Sequence, residues 1–397
     1  FRTHDAVADL TDTSLGKQVH SILVVVRKDD PAEKVRDTKD YIYGVQQSPE
    51  ENEIDKAMKK VNEETGAEVM TAEYNTLNDQ AAALLDGSVE AIVYDEGYGG
   101  ILDEVYEGFG SQTKIIGQYS IESEPSEEEN LLAGAAAEVN VKDETFSIYI
   151  SGIDTYGSIT TVSRSDVNMI VTVNPNTKKI LLTSIPRDYY VTLANMQKKD
   201  KLTHSGIAGP ENTVKTMAKF LGTDINYYAR VNFTSLVTMV DALGGITVNV
   251  DRDFSAGGYT YKLGLQQMNG EEALAYSRER YSFADGDNVR VKHQQDVLMT
   301  MLKKMMLPAV ITNYSSVLKA ISGCFETNMA SSDITDLIKM QINDNASWTF
   351  KQKQFTGTGV MQTGGAYMPD SKLYYMIPND DSVKENLQAI KDVLNGK

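Results

Sequence analysis

Residues 273–296, "ALAYSRERYSFADGDNVRVKHQQD", set Arg278, Arg280, Arg290, Lys292 and His293 close together in a chain of formal net charge −18. Guanidinium groups at that density are equipment for holding an anion, either a carboxylate of the protein or a phosphate of a ligand. From about Asn288 to residue 306 the spacing predicts a helix. Arg290 and Gln294 lie four apart, and Val297, Leu298, Met301 and Met305 continue the same face, the pattern of a core-facing stripe. That places Arg290 and Gln294 inward in the first turns, leaves Lys292 in solvent, and makes Lys292 and His293 dispensable by comparison. A helix N-terminus already presents unpaired N–H groups and the positive end of the dipole, so an inward arginine there calls for an anion. Arg278 and Arg280 are two apart and share a side if the segment after "GEEALAY" is extended. Salt bridges to Glu271, Glu272, Asp285 or Asp287 would account for any single arginine. The set, with Arg290 inward, favours a polyanion pocket.

Two other stretches supply matching chemistry. "SIPRDYY" (184–190) ends a strand at Pro186 and brings Arg187 and Asp188 to its end. "SGIDTYGSITTVSRSD" (151–166) carries Asp154 and Asp166 at the two ends of a loop between strands, so both carboxylates can meet at one sheet edge. Carboxylates beside arginines either neutralise them or hold Mg²⁺, a hard ion that sits on one or two carboxylates plus phosphate oxygens. Arginine and Mg²⁺ on a pyrophosphate are the usual electrostatic means of phosphoryl transfer. His204 and Ser205 in "KLTHSG" are adjacent in sequence, which is weak support for a nucleophile–base pair.

The elements that must position these groups fall into two parts. Over residues 1–143 the runs "SILVVV", "AEVMTAEY", "VEAIVYDE" and "TKIIGQYSIE" read as strands. Between them lie helices "ENEIDKAMKKVNEE" (Ile54, Met58 and Val61 on one face), "NDQAAALLDG" and "GGILDEVYEGFG". This is a small α/β unit, read as a spacer or docking domain and closed by an acidic, then alanine-rich linker at 122–144. Residues 144–397 begin with strands and continue with helices at 214–221, 236–243 and 288–306, a "WTFKQKQFTG" strand and a last helix near 383–394. Mixed rather than alternating order predicts an α/β (α+β mixed) fold with a central mixed sheet flanked by helices.

Composition narrows the function. A sequence pI near 4.7 argues against nucleic acid as the main partner. One cysteine, Cys324, excludes an intrachain disulfide and a cysteine-rich zinc site, and the four histidines are scattered. No run is apolar and long enough to span a bilayer. Because the first residue is Phe1, an upstream signal or membrane anchor is expected to be missing from this sequence.

The same residues carry a family resemblance. "SGID…RSD", "SIPRD", "DKLTHSG", "VNFTSLVTMVDALGGITVNVD", "MNGEEALAYSRER" and "DNVRVKHQQ" resemble, in order, the motif series of the LytR–CpsA–Psr family over roughly 146–307. The N-terminal part resembles the accessory domain of its capsule-type members. The resemblance implies a protein on the outer face of a Gram-positive cell membrane that moves a glycopolymer from a polyprenyl-pyrophosphate carrier onto peptidoglycan. Slow hydrolysis of such carriers is an alternative use of the same site, and regulation of capsule synthesis is another. It further implies Mg²⁺ (or Mn²⁺) at Asp154 and Asp166. Arg164, Arg187, Arg278, Arg280, Arg290 and Gln294 would then hold the pyrophosphate, with Arg187, Asp154 and Asp166 catalytic. "VDRDFSAGGYTYKLGLQ" is short against the family pattern. Met301, Leu302, Met305 and the apolar faces of 214–221 and 236–243 would line a tunnel for the lipid chain.

Overall fold

The computed structural model describes residues 18–48, 51–124, 139–153 and 164–397. Asp154 and the alanine-rich part of the expected linker lie outside them.

The N-terminal unit is built on β1 (Gln18–Arg27), β2 (Ile42–Gln46), β3 (Met70–Tyr74), β4 (Ala91–Asp95) and β5 (Thr113–Ser123), in the order β3-β2-β4-β1-β5. The run Ile22–Val26 is buried on both faces, as a near-continuous apolar strand inside a covered sheet should be. Helix α1 (Glu53–Thr65) is capped by Asn52 and stopped by Gly66 at φ +71°, a conformation that favours glycine. Its Ala57, Met58 and Val61 close one face of the sheet, as the helical spacing predicts. Helices α2 (Leu77–Asp86) and α3 (Gly99–Val105) close the other.

The second unit holds β6 (Phe146–Ile153), β7 (Val167–Asn174) and β8 (Lys179–Ile185). Then come β9 (Tyr190–Thr192), β10 (Lys199–Lys201), β11 (Tyr227–Asn232), β12 (Ile246–Val250), β13 (Phe254–Ala256), β14 (Tyr259–Tyr261) and β15 (Gly264–Met268). β16 (Glu326–Thr327), β17 (Thr349–Gln354), β18 (Gly357–Gln362) and β19 (Leu373–Pro378) follow. Six of these form the expected central mixed sheet, ordered β16-β11-β6-β7-β8-β17, with β11 parallel to β6 and β17 parallel to β8. Strand alternation sorts its two faces. Ile170 and Leu181 pack with Met217, Leu221, Ile390 and Val393, while Met169, Val171 and Leu182 pack against Leu298, Met299 and Leu337. The stretch expected to be short folds as the β13–β14 hairpin leading into β15.

The two units share a core. Ile101 and Leu102 of α3 belong to one buried cluster with Ile207, Met368, Leu373 and Tyr375, and Tyr98 meets Tyr367 edge-on at 5.9 Å.

The long helix runs Gly286–Met305, but its buried positions are Val289, His293, Gln295, Asp296, Val297 and Met301. Val297 and Met301 are inward as the spacing predicts. Arg290 and Gln294 sit at the boundary, and Met305 is 37% exposed. The single-stripe reading fails because the helix is wedged between two layers. Gln295 reaches Ser184 of β8 and the Lys353 carbonyl of β17, while His293 faces Asp251, Phe254 and Tyr276. Arg278 closes the helix Gly270–Arg278 and only Glu279 turns extended, so the two arginines do not share one extended segment. Of the three apolar faces proposed for a tunnel, one departs from the other two. Met301 packs with Val240 and Leu243, whereas Met217 and Leu221 belong to a separate cluster.

Candidate functional site

The site forms where β6 ends and β7 begins. Gly152 pairs with Val167, and the Asp166 amide donates to the Gly152 carbonyl at 3.0 Å. The residues before β7 are pinned from several sides. The Ser165 amide donates to Thr203 O, Ser151 and Ser165 share a buried hydroxyl contact at 3.0 Å, and Asn168 Nδ2 donates to Ser165 O. Pro186 ends β8, and the Thr203 amide donates to Arg187 O at 2.8 Å, which fixes the backbone that carries Arg187. Its Nη1 lies 3.2 Å from Asp166 Oδ1 and its Nε 3.9 Å from Asp188 Oδ2. Burial works against the Arg187 charge, but Asp188 and Asp166 outweigh it and raise its pKa.

Arg290, in the first turns of the long helix, donates from Nη2 to Asp287 at 2.7 Å. Its Nε is buried without a hydrogen-bond partner among the described residues. Burial pushes its pKa down, and the charges of Arg187 and Arg280 press the same way against Asp287 and Asp166. The fold therefore brings Arg187, Arg280, Arg290 and Asp166 into one electrostatic neighbourhood. Arg280 donates from Nη2 to Tyr281 Oη at 2.8 Å. The Arg278 guanidinium lies 4.1 Å over the Phe233 ring, a cation–π contact. Gln294 reaches the Ser277 carbonyl at 3.4 Å, next to Arg278. Arg164 lies against α3, where a Cβ added to Gly100 would fall 1.9 Å from its Nη1.

No group of three or more His, Cys, Asp or Glu side chains gathers among the described residues. Asp166 is the described member of the expected carboxylate pair. A lone carboxylate oxygen fits Mg²⁺ in the manner of an ion that takes its other ligands from phosphate and water.

Sequence reasoning passed over two contributors. Lys201 is 3% exposed, with Nζ 2.9 Å from Glu104 and 3.5 Å from Asp188. The quoted "DKLTHSG" contains Lys201, but its two carboxylates come from distant segments. The second, Glu104, belongs to the N-terminal unit.

His293 is fully buried, a position the helical spacing did not assign to it. It stacks on Tyr276 at 4.1 Å and Phe254 at 5.4 Å, with Nε2 3.1 Å from Asp251. Lys292 is 40% exposed, pairing with Asp296 at 2.9 Å and Asp251 at 3.6 Å. Lys292→Ala is expected to leave turnover within about twofold, because its partly exposed ammonium pairs with Asp296 and Asp251. A turnover loss equal to that of Arg290→Ala would overturn this assignment.

A curated relative from Enterococcus faecalis, polyisoprenyl-teichoic acid–peptidoglycan teichoic acid transferase TagU, is 35% identical over 236 residues, 58% of this chain and 77% of its own. Biofilm regulatory protein A of Streptococcus mutans is 33% identical over 252 residues, 59% of this chain and 62% of its own. Among solved structures, TagV of Bacillus subtilis superposes with TM-score 0.54 at 28% identity, covering 64% of this chain and 98% of its own. TagT bound to LIIa-WTA gives 0.52 at 27% identity, covering 65% and 94%. Residues 111–391 match the LytR_cpsA_psr family, and the chain belongs to it.

Proposed function

We propose that this protein transfers an anionic glycopolymer, of capsular type, from a polyprenyl-pyrophosphate carrier to peptidoglycan. The observation that carries the reading is Arg290: a largely buried guanidinium, pressed by Arg187 and Arg280, with a buried Nε that has no partner among the described residues. Such an arrangement is costly without an anion and favourable with a polyphosphate. The names of the relatives, teichoic acid–peptidoglycan transferases, support the same chemistry.

In this reading an acceptor hydroxyl of peptidoglycan attacks the phosphorus next to the glycopolymer. The P–O–P bridge breaks, a new phosphodiester forms, polyprenyl phosphate leaves, and the hydroxyl proton passes to solvent. Arg187 and Arg290 hold the equatorial and bridging oxygens, and Arg280 extends the cradle toward solvent. Arg164, Arg278 and Gln294 line the approach. Asp166, with Asp154, would hold Mg²⁺ or Mn²⁺, which neutralises phosphate charge when bound. Asp166 also keeps Arg187 oriented. A membrane-borne donor places this work at the outer face of the cell membrane; among the described residues no helix is long and apolar enough to cross one.

Incubation with lipid-linked polymer, peptidoglycan and Mg²⁺ is expected to give a covalent polymer–peptidoglycan product together with polyprenyl phosphate. Chelation by EDTA is expected to lower the rate at least about tenfold, with recovery on adding Mg²⁺. Phosphate release without product would show that water is the acceptor, and full activity in EDTA would exclude the metal.

A further inference from the structure

We infer that the N-terminal unit supplies part of the site itself: α3 holds the arginine cluster in place through Glu104 and Gly100. The inference rests on the transfer reading above and adds a positioning role that lies outside the motifs.

The chain of contacts is continuous. Glu104 Oε2 lies 2.9 Å from Lys201 Nζ, Lys201 Nζ lies 3.5 Å from Asp188 Oδ1, Asp188 Oδ2 lies 3.9 Å from Arg187 Nε, and Arg187 Nη1 lies 3.2 Å from Asp166 Oδ1. Lys201 is 3% exposed, and a buried ammonium must have its charge matched. Two carboxylates share that task. Asp188 is also one of the carboxylates that raise the Arg187 pKa against burial. Without Glu104, Lys201 would draw on Asp188 alone among its described carboxylate partners, and Asp188 would turn from Arg187. The backbone that carries Lys201 is held, because the Leu202 and Thr203 amides donate to Tyr189 O and Arg187 O.

The same helix meets a second site residue. The Arg164 guanidinium occupies the space a side chain at position 100 would fill. The helix is anchored against the N-terminal sheet and the β18–β19 hairpin, since Ile101 and Leu102 are 0% exposed in the cluster shared with Leu373 and Tyr375. Glu104 is thus a positioning residue acting through Lys201 and Asp188, and Gly100 fixes where Arg164 can lie.

The test uses the full chain with lipid-linked polymer and peptidoglycan. Glu104→Gln is expected to lower kcat roughly tenfold with donor KM and melting temperature near wild type, because misorientation of a reacting-centre contact falls on turnover. Glu104→Asp is expected to recover part of the loss. In a Lys201→Met background, Glu104→Gln is expected to have little further effect on kcat, a coupling that a merely structural role would not produce. Gly100→Ala suits a helix interior, so the fold is kept while the Arg164 guanidinium is displaced. It is expected to raise donor KM several-fold. Wild-type kcat in Glu104→Gln, or additive losses in the double variant, would overturn the Glu104 role; an unchanged KM in Gly100→Ala would overturn the Gly100 role. Arg187→Ala distinguishes the levels: if it is inactive while Glu104→Gln is normal, only this inference fails, and if it is fully active, the transfer reading fails with it.

Discussion

Arg290→Ala is expected to lower kcat/KM for a lipid-linked donor by about 10²–10³-fold, the scale of removing one preorganised donor from a transition state. The melting temperature is expected to hold or rise. The reasoning lies in the balance of charges around this side chain. Its one described ion pair is with Asp287, whose side chain is 59% exposed and contributes little to the fold. Against that stand burial, an unpartnered buried Nε, and the nearby charges of Arg187 and Arg280. The fold carries a guanidinium it does not use for stability, which is how a binding site stores cost. Arg187→Ala should match it in activity but differ in stability, because Asp166 and Asp188 would lose the cation between them. Arg290→Lys keeps the charge but not the planar fork, so most of the loss should persist. Thermal melts beside transfer kinetics check both halves. A large stability loss with unchanged kcat/KM would make Arg290 a structural residue.

His293→Ala is expected to destabilise the protein by about 3 kcal/mol, through a cavity between aromatic rings and an abandoned partner at Asp251. The same residue sets a pH dependence. Burial lowers its pKa below the ordinary 6.5, outweighing the attraction of Asp251. The folded-state pKa is depressed, so the unfolded chain takes up the proton first as pH falls. The stabilising contribution is present above 6.5 and is lost as pH falls through the lower folded value. Asp251 is held down to about 2: burial opposes this, but Arg252, His293 and Lys292 outweigh it, so its own contribution is lost only in far stronger acid. Melting temperatures between pH 8 and pH 5 should decline in wild type. They should decline less in His293→Phe, which keeps the stacking and loses the titration. Equal slopes in the two proteins would show that His293 does not titrate on unfolding.

The contrast between these residues shows what was legible. Helical spacing identified the long helix within two residues at each end and put Val297 and Met301 inside. It misjudged His293, because a periodic pattern records one buried face and this helix has two. The Arg187–Asp166 contact was foreseeable from strand ends that had to meet at one edge. The contact of Arg278 with Phe233 depended on where the helix Gly270–Arg278 stops.

The sequence by itself determined the mixed α/β class, the central sheet and the list of charged groups in the ordered motifs. Those properties follow from local patterns: apolar runs, capping residues and turn residues act over a few positions. Tertiary structure alone decided that Glu104 stands against Lys201, that Gly100 leaves room for Arg164, and that Arg290 Nε is buried without a described partner. Each depends on segments far apart in the chain meeting within a few ångströms. Burial and charge pairing at such meetings are set by the packing of whole elements, which no short stretch encodes.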